Sequence, residues 1–179
     1  MKKLVSLLLV LALALSVAAF AEEAATEEAV GSPVPLEITD FSPEGITPAI
    51  KGAEEDETVG QLLDAIVANG NNEEVFGSSG VEDLAKYELV ELVGLTIDDY
   101  DPETMDEVVL NIKFAASFEQ DADLIVLLGL IDEDNVVDWQ SVDFVIEENG
   151  SLTITLTAEQ AEAVAGGTAV IAVLQAIAE

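Results

Sequence analysis

The side chains able to do chemistry in this chain are almost all carboxylates. Asp and Glu number 37 against five lysines, with no histidine and no cysteine, in 179 residues of formal charge −32. The densest run is Asp98-Asp99-Tyr100-Asp101-Pro102-Glu103, followed by Asp106 and Glu107. Calcium is a hard cation that gathers about six to eight oxygens, and carboxylates at alternate positions of a turn can converge on it. Asp98, Asp99, Asp101, Glu103 and Asp106 are therefore the candidate calcium ligands. Two further sets share this character: Asp121 with Asp123, and Asp132, Glu133, Asp134, Asn135 and Asp138. None of the three has the mid-loop glycine and distal glutamate of an EF-hand loop, and in so acidic a chain solvated turns give the same spacing by composition alone.

Other chemistries are largely excluded. Paired carboxylates can serve a glycosidase as acid and base, but among 37 acids any pair can be found. Without histidine there is no usual general base near neutral pH and no Ser-His or Cys-His nucleophile. Gly77-Ser78-Ser79-Gly80 lacks the lysine and the context of a phosphate-binding loop. Lys113 falls on an expected strand, but the last strand holds no asparagine for an amide crosslink. A surface so negative repels phosphate backbones and anionic membranes, which argues against nucleic acid or lipid headgroups as partners. No catalytic residue and no bound cofactor other than calcium is expected.

The N-terminus explains two of the five lysines. Met1-Lys2-Lys3 is a short positive segment, Leu4 to Ala18 is an apolar run, and Ala19-Phe20-Ala21 is a small-x-small cleavage site. Residues 1–21 are read as a signal peptide, so the protein is expected to be secreted, beginning at Glu22 and free of the membrane. No cysteine follows the run to carry a lipoprotein anchor. Three lysines, Lys51, Lys86 and Lys113, then face all the acids. Such charge keeps an exported protein soluble and, through self-repulsion, weakens its compact state. Half of the residues are apolar, too many for a disordered acidic tail, and the chain is long enough to hold a core without disulfides.

The elements that must position the acids follow from periodicity. Residues 22–33 read as an acidic flexible linker, and residues 34–86 as an edge strand plus a helical segment. Val34, Leu36 and Ile38 alternate as a strand does, with Pro33 and Pro35 confining it to a sheet edge. Residues 40–57 are turn-like. A helix is expected from Thr58, as its cap, to Gly70, with Val59, Leu62, Leu63, Ile66 and Val67 on one stripe that covers an edge or end of the β structure. A short helical turn follows near 81–86, with Ser79 and Glu82 at capping-box spacing.

Residues 87–179 read as the β core, and 34–179 as one domain. Tyr87 to Ile97, Val108 to Phe114, a doubly buried Leu124 to Ile131, Val142 to Ile146, Leu152 to Leu156 and Thr168 to Ile177 are the expected strands. Trp139 opens the fourth as a core anchor, and Asn149-Gly150 is expected to make a type I′ turn. The implied fold is mainly β: an antiparallel β-sandwich of Ig-like architecture, with one amphipathic helix and a short helical turn preceding it.

The order Tyr87-Glu88-Leu89-Val90-Glu91-Leu92, Val109-Leu110-Asn111-Ile112-Lys113-Phe114, Leu124-Ile125-Val126-Leu127-Leu128, Asp138-Trp139 and Asn149-Gly150-Ser151-Leu152-Thr153-Ile154-Thr155 resembles the small β-sandwich modules of exported proteins of anaerobic Gram-positive bacteria. The resemblance is one of pattern, over about residues 58–177. It lacks the Ser-Pro that often precedes the last strand of those modules, and it implies an accessory or surface role with no catalytic residues. The sequence therefore leads to a secreted, acidic, non-enzymatic interaction or structural module with an unknown protein or glycan partner. A calcium-dependent carbohydrate- or protein-binding domain is the alternative, and an extracellular hydrolase a remote one.

Overall fold

Alternating apolar residues on some strands and unbroken apolar runs on others demand two different environments, and the fold supplies both. In the computed structural model, which describes residues 36–132 and 134–177, nine strands form two antiparallel sheets. Residues 1–33, read as signal peptide and linker, lie outside the described residues. The four-stranded sheet has the order β1-β4-β8-β7, built from Glu37–Ser42, Val108–Lys113, Leu152–Leu156 and Asp143–Ile146. The five-stranded sheet has the order β2-β3-β9-β5-β6, built from Thr47–Gly52, Tyr87–Asp98, Thr168–Ala176, Leu124–Ile131 and Val137–Ser141.

The sheets share one core. Val108, Leu110 and Ile112 of β4 and Leu152, Ile154 and Leu156 of β8 pack with Val93, Leu95 and Ile97 of β3, Val126 and Leu128 of β5, and Ile171 and Val173 of β9. Between them on β4 and β8, Val109, Asn111, Thr153 and Thr155 stay half-buried on the outward side. β9 has no such alternation: Ala169 to Leu174 are all buried, because the five-stranded sheet is covered on both sides.

Its second cover is helical. Helix α1, Glu57–Asn69, lays Val59 and Ile66 into a second cluster with Leu92, Leu127, Trp139, Val170, Ala172 and Leu174. Gly94 permits this approach, since a Cβ there would lie 2.9 Å from Val59 Cγ2. The stripe thus covers a sheet face rather than an edge or end. Its cap is Asp56, whose side chain accepts from the Thr58 and Val59 amides, while Thr58 belongs to the helix itself. Gly70 closes it in the left-handed conformation, as expected. A short helix α2, Asn72–Val75, and a 3-10 turn at Gly77–Ser79 bring Phe76 edge-on to Trp139, with ring centroids 4.8 Å apart. Trp139 is a core anchor, as expected. The turn expected at 81–86 is a 3-10 turn at Leu84–Lys86, and Ser79 ends the preceding turn instead of capping it.

Tertiary pairing overrides local pattern elsewhere. Residues 47–52, read as turn, form β2 because β3 supplies a full antiparallel partner from Thr47↔Asp98 to Gly52↔Val93. Pro33, Val34 and Pro35 lie outside the described residues; the strand described, Glu37 to Ser42, does lie at a sheet edge. The single strand expected to open at Trp139 is two: β6 belongs to one sheet and β7 to the other, with the crossing at Val142. The hairpin β7-β8 is present, but only Gly150 of Asn149-Gly150 has positive φ, so the turn is not type I′. Gly150 N–H donates to Glu147 O at 2.9 Å and Glu147 N–H to Ser151 O at 2.9 Å. Helix α3, Ala158–Gly166, starts in a capping box of Thr157 and Gln160 and puts Ala161 and Val164 into the inter-sheet core.

Candidate functional site

The acidic loop joins β3 to β4 and so carries the chain from one sheet to the other. One of its carboxylates, Asp101, caps the loop itself, and another, Asp99, reaches β2. Asp98 ends β3, and Asp99, at φ 63°, accepts the Thr47 hydroxyl at 3.0 Å. Asp101 accepts the Glu103 amide at 3.0 Å on one oxygen and the Thr104 hydroxyl at 2.9 Å on the other. Tyr100 Oη donates to Met105 O at 3.0 Å, with Ala158 O of the helix start at 3.4 Å. Loss of hydration, with the carboxylates of Glu162, Asp106 and Asp101, raises that phenol above its ordinary 10.0.

Among the described residues no three acidic side chains form a group fit to hold a metal ion. Asp98, Asp99, Asp101, Glu103 and Asp106 are thus neighbours in sequence that the loop does not gather around one point. The other acidic sets also cap turns. Asp132 Oδ1 accepts from the amides of Asp134 and Val136 at 2.9 and 2.8 Å, and Asp123 accepts from the Tyr87 hydroxyl at 3.1 Å. Glu133 lies outside the described residues.

A partly buried carboxylate lies elsewhere, on β3. A bulge between Leu89 and Glu91 on β3 sets Val90 against the inter-sheet core. Glu91 Oε1 there accepts the Ala116 amide at 2.7 Å. Burial pushes the Glu91 carboxyl above its ordinary 4.5, against the opposite pull of that amide.

The outward side of the four-stranded sheet is different in kind. None of its outward side chains is buried: Val109, Asn111 and Lys113 on β4, Thr153 and Thr155 on β8, and Asp143 and Val145 on β7. A groove of about 330 Å³ runs over it, lined by Thr39, Asp40, Phe41, Val109, Asn111, Glu147 and Thr153 among others. Across its floor a hydrogen-bond chain passes from strand to strand. Thr39 Oγ1 donates to Asn111 Oδ1, Asn111 Nδ2 to Thr153 Oγ1 at 2.8 Å, and Thr153 Oγ1 to Glu147 Oε1 at 2.6 Å. Every proton in this chain points toward the Glu147 carboxylate.

Sequence reasoning did not single out these residues, because they come from three strands and the turn between β7 and β8 and form no motif. Their only signal was the polar half of the alternation on β4 and β8. No known protein family, no characterised protein and no solved structure matches this chain.

Proposed function

We propose that the protein is a secreted, strongly acidic, non-enzymatic interaction module whose working surface is the outward side of the four-stranded sheet. The observation that carries this reading is the unequal cover of the two sheets: one is enclosed on both sides, and the other keeps a grooved polar side exposed. A purely structural core would gain from covering both. The absence of histidine and the self-capped acidic loop support a role without catalysis.

The architecture is read as Ig-like. In that plan one sheet has the order A-B-E-D and the other runs through F, C and C′. The orders β1-β4-β8-β7 and β9-β5-β6 correspond to these, with β3 beside β9 where strand G would stand. Likeness in strand pattern to exported modules of anaerobic Gram-positive bacteria points to the same accessory role at or beyond the cell surface.

Expression in a Gram-positive host tests the reading. Mass spectrometry of the supernatant is expected to find a species beginning at Glu22 with no hydrolase activity above buffer. A cell-retained full-length chain would overturn export, and turnover of a glycan or peptide substrate would overturn the non-enzymatic assignment.

A further inference from the structure

We infer that the groove on the outward side of the four-stranded sheet holds an extended polypeptide segment bearing lysine or arginine; this rests on the reading of the chain as an interaction module and names its partner's chemistry. The groove carries two carboxylates, Asp40 and Glu147, and no cation among its lining residues. The exposed Asp143 adds a third on β7. The one lysine on this side, Lys113, stands opposite Glu37 in the β1-β4 register, which offsets its charge. A chain of net charge −32 also draws cations toward every such surface before contact.

Apolar groups lie where the stems of long basic side chains would rest. Val109 lines the groove and Val145 is 60% exposed on β7, while Phe41, opposite buried Leu110 in the β1-β4 register, borders it only at the sheet edge. Lysine and arginine bury their methylenes on such surfaces while their charged ends stay hydrated. The Thr39-Asn111-Thr153-Glu147 chain holds the Glu147 carboxylate in place before any partner arrives. Stacking on a sugar ring would call for an aromatic ring on the groove floor, where Val109, Asn111, Thr153 and Glu147 supply none, and Trp139 is 2% exposed in the core. Addition of the segment as a new edge strand is hindered at Phe41, whose amide already donates to Asp40 Oδ1 at 2.9 Å. The segment therefore lies across the sheet.

The test titrates the purified, isotope-labelled protein with a peptide of alternating lysine and serine at low ionic strength. Amide shifts are expected on β1, β4, β7 and β8. Replacing both groove charges, Asp40→Asn with Glu147→Gln, is expected to weaken binding about fivefold, the scale of two exposed charge pairs. Removing the same charge from the acidic loop, Glu103→Gln with Asp106→Asn, is expected to leave it within about twofold, since screening limits distant charges. Equal losses from the two double variants would overturn the inference and assign the attraction to the whole surface. Shifts confined to another part of the molecule would overturn the location. No binding, or stronger binding of a glutamate-serine peptide or a cello-oligosaccharide, would overturn the partner chemistry. None of these results bears on processing at Glu22 or on hydrolase activity, so the two readings fail separately.

Discussion

The two sheets share a core, and they differ in what lies on their other sides. Behind the five-stranded sheet sit α1, α2 and the Phe76-Trp139 pair; on the outer side of the four-stranded sheet, Val109, Asn111, Lys113, Asp143, Val145, Thr153 and Thr155 are unburied among the described residues. The difference shows in sequence as a change of period. A strand with one buried side alternates, as Leu152-Thr153-Ile154-Thr155-Leu156 does, and a strand with two reads as a continuous apolar run, as Ala169 to Leu174 does. The lesson is that an alternating strand marks a surface left for water or a partner.

Substitutions on the outer sides of the two sheets test this contrast. Trp139→Ala should cost about 3–5 kcal/mol in urea unfolding, because it empties the contact with Phe76 beneath the helical layer. A loss near zero would mean that this layer does not enclose the sheet. Asp56→Ala, which frees the amides of Thr58 and Val59, should cost about 1 kcal/mol and loosen α1 before the sandwich itself melts. Hydrogen exchange would detect the order of release.

Glu91 probes the space between the sheets. Its carboxyl is raised above 4.5 by burial, so the folded state holds the proton more tightly than the unfolded chain. The stabilising effect of protonation is complete below the unfolded value and is lost as pH rises through the folded one. Glu91→Gln, which keeps an acceptor for the Ala116 amide, should raise the melting temperature at pH 7, and the gain should close as pH falls below about 4.5. A gain that persists in acid would show that charge is not its cause.

Val145→Thr, on the open side, should change stability by no more than about 0.5 kcal/mol. A cost comparable to that of Trp139→Ala would show that this side is covered in solution. The smallest difference is expected for metal. Melts in calcium and in sodium of equal ionic strength should shift alike through screening, and an extra shift in calcium would give the loop between the sheets a specific site.

Much of the fold was legible because its local signals agree with its packing. Gly70 stops α1, Leu152 to Leu156 alternate, and Leu124 to Ile131 is apolar on two sides for the reason the sequence suggested. β2 was not legible, since Pro48, Lys51 and Gly52 have no strand character and only β3 makes them one. Nothing local marks the passage at Val142, where the chain leaves one sheet for the other. The acidic loop was conspicuous in sequence, and in the structure Asp101 caps its turn while Asp99 accepts from Thr47. The groove was silent, because Thr39, Asn111, Thr153 and Glu147 become neighbours only through strand pairing.

The position of β9 has a consequence for how the molecule comes together in time. It is the middle strand of the five-stranded sheet, yet it follows all the other strands along the chain. Until it arrives, β2-β3 and β5-β6 are two separate antiparallel pairs with no shared hydrogen bond, each exposing an unpaired edge. Pairing Leu95 with Ala169 also closes a long loop, whose entropy must be met before the contact helps. The five-stranded sheet is therefore completed only by its last strand, which joins two pairs formed from earlier parts of the chain.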